Sequence, residues 1–122
     1  IKALNTGHDG SLSTGHANSP KDMLSRLESM VLMGMDLPLG AVQRQIASGI
    51  DIIVHLGRLR DKSRKVLEVS EILGYQDGEI LVSPLYRFEE TGEKDGKIQG
   101  TWRKMDDLVH TQKLLAAGYK EV

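Results

Sequence analysis

The apolar residues of this chain change their spacing once, at Gly49. Before it they recur every third or fourth position: Met23, Leu24, Leu27, Met30 and Val31 form one stripe, and Leu39, Val42 and Ile46 another. After it come apolar and β-branched runs, "IDIIVHLGRLR", "RKVLEVSEILGY" and "EILVSPLYRF". The first spacing buries one side of a helix, and the runs suit strands. The reading is α/β: an N-terminal strand and two helices, then a three-stranded antiparallel meander and a terminal helix.

Local signals set the boundaries. Ser19 is a good N-cap, Pro20 suits the first helical position, and Asp22 follows three residues after the cap, so a helix should start there and stop at Gly34. Asp36 is the expected cap of a second helix that begins at Pro38 and ends at Gly49, with Gln43, Arg44 and Gln45 turned away from its apolar face. The Met-rich first helix reads as core and not as a binding groove. "IKALN" can supply a last helical turn, stopped by Asn5 and Gly7, and Ser11 to Ala17 a short buried strand of small residues. In the sheet, Asp77-Gly78 signals a tight hairpin. Ile80, Val82, Pro84, Tyr86 and Phe88 should share one face, and Pro84 puts that strand at an edge. Glu71 breaks the alternation of the middle strand. Residues 89–100, charged and glycine-rich, should be a mobile loop, and Lys104 to Ala117 a helix stopped by Gly118.

Composition narrows the function classes. With 122 residues the chain builds one modest domain, and 16 basic against 17 acidic side chains give no electrostatic case for nucleic acid or an anionic membrane. There is no cysteine, hence no disulfide or thiolate metal site, which fits a reducing cytosol. No apolar run approaches the ~20 residues that span a bilayer. "IKALNTG" reads as the tail of a helix begun upstream, so the chain is expected to be a piece of a longer protein.

Three sets of residues can carry chemistry. The glycine pattern "GEKDGKI", Gly92 to Ile98, fails as a phosphate-binding loop, because it has one residue too few between the glycines and Ile98 where a hydroxyl is needed. His8 and His16 are either structural, ending a helix and a strand, or a functional pair near an anion at the end of a strand, where α/β sheets place ligands. A metal-dependent phosphohydrolase using His8 and Asp9 is the rival, although three or four converging ligands are needed and no such spacing appears. Arg58, Arg60 and Arg64 surround Asp61 as a solvated turn, an anion contact or a subunit interface. A non-catalytic interaction module is the third option.

The residues "TGHDGSLSTGHANSP" with "SRLESMVLM" resemble the C-terminal half of the motor domain of type II/IV secretion ATPases, in the Tad/Flp pilus assembly branch, from Ile1 to about Phe88. Gly15 departs from the bulky apolar residue that such proteins carry between Thr and His. The resemblance implies the C-terminal part of a RecA-like P-loop ATPase domain over 1–88, leaving 89–103 as a charged flexible loop and 104–122 as a C-terminal helix and tail. It implies a homo-hexamer that is cytoplasmic, peripheral to the bacterial inner membrane only through platform proteins, and powers pilus assembly or protein export. Within the family's His box, Gly7, His8, Thr14 and His16 would lie near the γ-phosphate, with His16 the more direct catalytic group and His8 its support, and Arg58 and Arg60 would face the ring neighbour. ATP and Mg²⁺ would serve the full-length parent. Its phosphate loop and Walker B segment belong upstream of Ile1, so the isolated chain is expected to bind no cofactor and hydrolyse nothing.

Overall fold

A computed structural model describes Leu12, residues 14–34 and residues 36–120. Helix α1 spans Pro20–Gly34 and α2 spans Leu39–Gly49. Strands β1 (Ile52–Arg58), β2 (Arg64–Gln76), β3 (Glu79–Lys94) and β4 (Lys97–Lys104) follow, and then a short helix α3, Gln112–Ala116. The strands make one antiparallel sheet in the order β1-β2-β3-β4, one strand more than the sequence predicts.

The start of α1 follows from its cap. Ser19 Oγ accepts the N–H of Asp22 at 3.0 Å, and the Asp22 carboxylate accepts the N–H of Asn18 at 3.0 Å, so two donors that no helical carbonyl can reach are satisfied. The Asn18 amide, and after it the Arg26 guanidinium, hold the Asp22 carboxyl below its usual range. At α2 the expectation fails: Pro38, not Asp36, is the cap residue, and it supplies no side-chain bond.

The core lies between the helices and one face of the sheet. Leu24, Val42, Ile46 and Ile72 are buried together, with Leu27, Ile53, Ile80 and Val82 packed around them. Val42 and Ile46 are fully buried, each worth about 1.5–3 kcal/mol relative to exposure. Gln43 does not point away: it is buried and donates Nε2–H to Glu28 Oε1 of α1 at 3.3 Å. Arg44 stacks over the Tyr75 ring.

Pro84 lies in a strand paired on both sides, against the edge expectation. Yet β4 pairs only with Tyr86–Lys94, so at Pro84 it has already run out, and the missing N–H disturbs no ladder on that flank. Leu85 is an extra residue there: Ser70 pairs with Pro84 while the adjacent Val69 pairs with Tyr86. Pro84 and Tyr86, two apart in sequence, therefore sit on opposite faces, and the proposed common face is broken.

Residues 89–100 are ordered strand, not a mobile loop. Asp95 and Gly96, with φ of 53° and 75°, make a two-residue turn like that of Asp77 and Gly78, with φ of 51° and 81°. The hairpin is pinned at several points. Ile98, buried, donates its N–H to Asp61 at 2.8 Å, and Arg60 pairs with Glu90 and Glu93. The predicted 104–117 helix is reduced to Gln112–Ala116. The N–H groups of Val109 and His110 go to Glu71 instead of to helical carbonyls. Gly118, with φ of 100°, does follow that helix.

Candidate functional site

The predicted site residues fall in three places. Gly7 and His8, with Asp9, lie outside the described residues. Thr14 and His16 lie in the segment leading to the α1 cap, without regular structure and exposed, so the strand expected over Ser11 to Ala17 is not found at its described positions. A strand needs a ladder partner, and all four strands of the sheet follow Gly49 and pair among themselves. With Gly15, Thr14 and His16 line an open hollow of about 500 Å³ on the flank of α1, against Met23, Leu27 and Met30. A Cβ on Gly15 would come within 2.5 Å of Met23 Cε. The Met23 side chain thus fills the space that a bulky residue at position 15 would take.

Arg58 and Arg60 do not join that hollow. Arg58 ends β1, exposed and opposite Arg64, and pairs with no described acidic side chain. Arg60 is committed internally. Its guanidinium reaches both oxygens of Glu90, one at 2.7 Å, and Glu93 at 3.5 Å. The Glu90 bond raises the Arg60 pKa and lowers that of Glu90. The Asp61 carboxyl is held down to about 2, chiefly by the Ile98 N–H and then by the Ser63 hydroxyl and N–H. This corner of the molecule is a built junction between the β1–β2 turn and the β3–β4 hairpin.

Sequence reasoning missed a second cleft, of about 330 Å³, between the first turn of α1 and the sheet. His55, Glu68 and Arg87 stand side by side on β1, β2 and β3 and line it, with Lys21 opposite. Glu68 accepts Arg87 Nε–H at 2.7 Å and the buried Ser70 hydroxyl at 2.8 Å, so it is spoken for and is no free base. Strand registers that only the bulges define bring these residues together, and nothing in their sequence spacing marks them. Among the described residues no three His, Asp or Glu side chains converge on a metal position.

Comparison with known proteins decides the family. The model of the type II/IV secretion system protein family matches residues 1–111. The chain belongs to that family. The match runs past Phe88, where the sequence resemblance ends, and takes in the β3–β4 hairpin and all of the segment before α3. The conjugal transfer protein TrbB of Rhizobium radiobacter is 33% identical over 90 residues, 74% of this chain and 27% of that protein. A Mycobacterium tuberculosis protein named for conjugal transfer is 32% identical over 80 residues, 66% of this chain and 22% of its own. The chain spans about a quarter of the length of these family relatives. Among the described residues no helix is long and apolar enough to cross a membrane.

Proposed function

We propose that this chain is part of a secretion-system ATPase motor, the C-terminal part of a RecA-like domain, and that His16 senses the γ-phosphate of ATP from the edge formed by the segment before α1. The observation that carries the reading is the family match over residues 1–111. Supporting it, His16 and Thr14 are exposed and unburdened by helical packing, so they are free to meet a ligand held by another part of a longer protein. Phosphoryl transfer needs Mg²⁺, a phosphate cradle and a water-positioning group. This chain would supply one polar edge of such a site, with Thr14 and Gly7 beside the phosphates and His8 supporting His16.

The motor would act as a homo-hexamer at the cytoplasmic face of an inner membrane, docked through platform proteins, and drive conjugal transfer, pilus assembly or export. Arg58 is the better candidate for contact with a ring neighbour. Arg60 already has acidic partners at the β3–β4 hairpin. The test is His16→Ala in the full-length protein. Turnover should fall while ATP binding, read by fluorescent-nucleotide titration, persists; unchanged turnover removes His16 from the mechanism. The isolated chain should release no phosphate above buffer.

A further inference from the structure

Glu71 is the one ionisable side chain among the buried described residues, 2% exposed in the middle of β2. Its neighbours Ser70 and Ile72 face the helices, so its carboxylate projects from the opposite face of the sheet. That face carries Ile52, Val54 and Tyr86, all at least 40% exposed. Among the described residues, one piece of chain is bonded to it at Glu71: the segment that leaves β4 at Met105 and ends at Gly118.

The segment is attached in an unusual way. Each Glu71 oxygen takes one backbone N–H from consecutive residues, Val109 at 2.8 Å and His110 at 2.9 Å. His110 Nε2 lies 2.8 Å from the carbonyl of Leu73. Leu73 is the extra residue of a bulge, skipped between the Ile72–Val82 and Gly74–Leu81 pairs. A carbonyl can only accept, so the ring carries its proton on Nε2. Lys113 pairs with Asp51 at an exposed position. Of the segment's apolar residues, Val109 is 60% exposed, Leu115 52% and Met105 42%, while Leu108 and Leu114 are half-buried. At the buried point of attachment the grip is therefore polar, local, and made to main-chain groups, the N–H of Val109 and His110 and the carbonyl of Leu73.

We propose that residues 105–118 are a detachable strap over the open sheet face, and that the Glu71 carboxylate is its latch. An apolar seam would peel gradually, whereas a grip held by two N–H groups and one imidazole lets go as a unit. A buried carboxylate without donors is strongly disfavoured, so release requires water or another segment with two adjacent N–H groups to take the place of Val109 and His110. The strap thus competes in cis for the acceptor that such a segment would use, and its departure bares Glu71 beside the already exposed Ile52 and Val54.

The test is hydrogen exchange on the full chain, comparing Val109→Pro, Val109→Ala and Glu71→Gln. Val109→Pro removes one of the two donated N–H groups and leaves the sheet sequence intact; Val109→Ala keeps the N–H and removes an exposed side chain. In Val109→Pro the strap amides should exchange at least tenfold faster while those of the β2–β3 ladder keep their protection, and Val109→Ala should match the parent. Glu71→Gln, with one acceptor oxygen and an NH₂ facing a donor, should release the strap likewise. Strap protection unchanged in Val109→Pro, equal release in Val109→Ala, or loss of strap and ladder protection in step in Val109→Pro would each overturn the proposal, even where Glu71→Gln proves too unstable to read.

Discussion

Trp102 of β4 donates its indole N–H to the main-chain carbonyl of Val66 in β2, at 2.7 Å, across a strand that does not pair with β2 at that level. The β2–β3 ladder ends at Glu68 and Arg87, and beyond it β3 continues with β4 alone. The indole takes up a carbonyl that β3 has left behind, while its ring packs edge-on against Phe88 with centroids 5.5 Å apart. A side chain thereby stands in for a missing rung, and the hairpin curls back toward the β1–β2 turn.

Trp102→Phe keeps an aromatic ring against Phe88 and removes the N–H. The expected loss is about 0.5–1.5 kcal/mol, the usual net worth of one hydrogen bond. Urea denaturation followed by far-UV circular dichroism checks it, and a variant as stable as the parent would mean that the bond carries no net weight.

The Asp61 junction should loosen in acid. Its carboxyl sits at about 2 in the folded chain against an ordinary 3.8. A depressed carboxyl stabilises fully above its unfolded value and loses that contribution as pH falls through its folded value, so the window runs from about 4 down to about 2. The Ile98 amide should lose protection from exchange across that window, and Asp61→Asn should flatten the transition. An Ile98 amide equally protected at pH 5 and pH 2 would contradict this.

Ile46 has no exposed surface and sits where α2 meets the sheet. Ile46→Ala should cost about 2–5 kcal/mol, from lost transfer energy and the cavity left behind. Leu39, 48% exposed on the same helix, should lose far less on truncation. Thermal unfolding of the two variants side by side settles the contrast.

Gly15 and Met23 should behave as a coupled pair. Met23 Cε, the free end of a flexible side chain, lies 2.5 Å from where a Cβ would stand, so Gly15→Leu must swing it aside and should cost about 1 kcal/mol, the low end of overpacking. Adding Met23→Ala vacates the space, so the double variant should recover part of the loss. The coupling energy from a double-mutant cycle should lie at about 0.5–3 kcal/mol, and strict additivity would show that the two side chains do not share the space.

What the sequence made legible was what short stretches decide. Helix α1 begins at Pro20 and stops at Gly34 as read, because cap, first-turn proline and terminal glycine act within a few residues of one another. Asp77-Gly78 forms its turn for the same reason. Asp95-Gly96 carries the identical signal, but the polar, charged and glycine-rich residues around it read as a loop. Glu71 stood out as a fault in the alternation, yet its partners lie 38 and 39 residues away, beyond any local pattern. The small residues around His16 suit a closely packed strand, but a strand depends on a neighbour that the segment itself does not specify.

The extra residues at Leu67, Leu73 and Leu85 have a further consequence. Each reverses the side to which everything downstream on its strand is presented, so Ile72 meets the helices and Tyr86 meets solvent only because the count of residues between them is what it is. Deleting Leu73 or Leu85 would remove just one apolar side chain, yet it would turn a stretch of sheet inside out. Between Glu68 and Arg87 the chain is constrained by its length as firmly as by its composition.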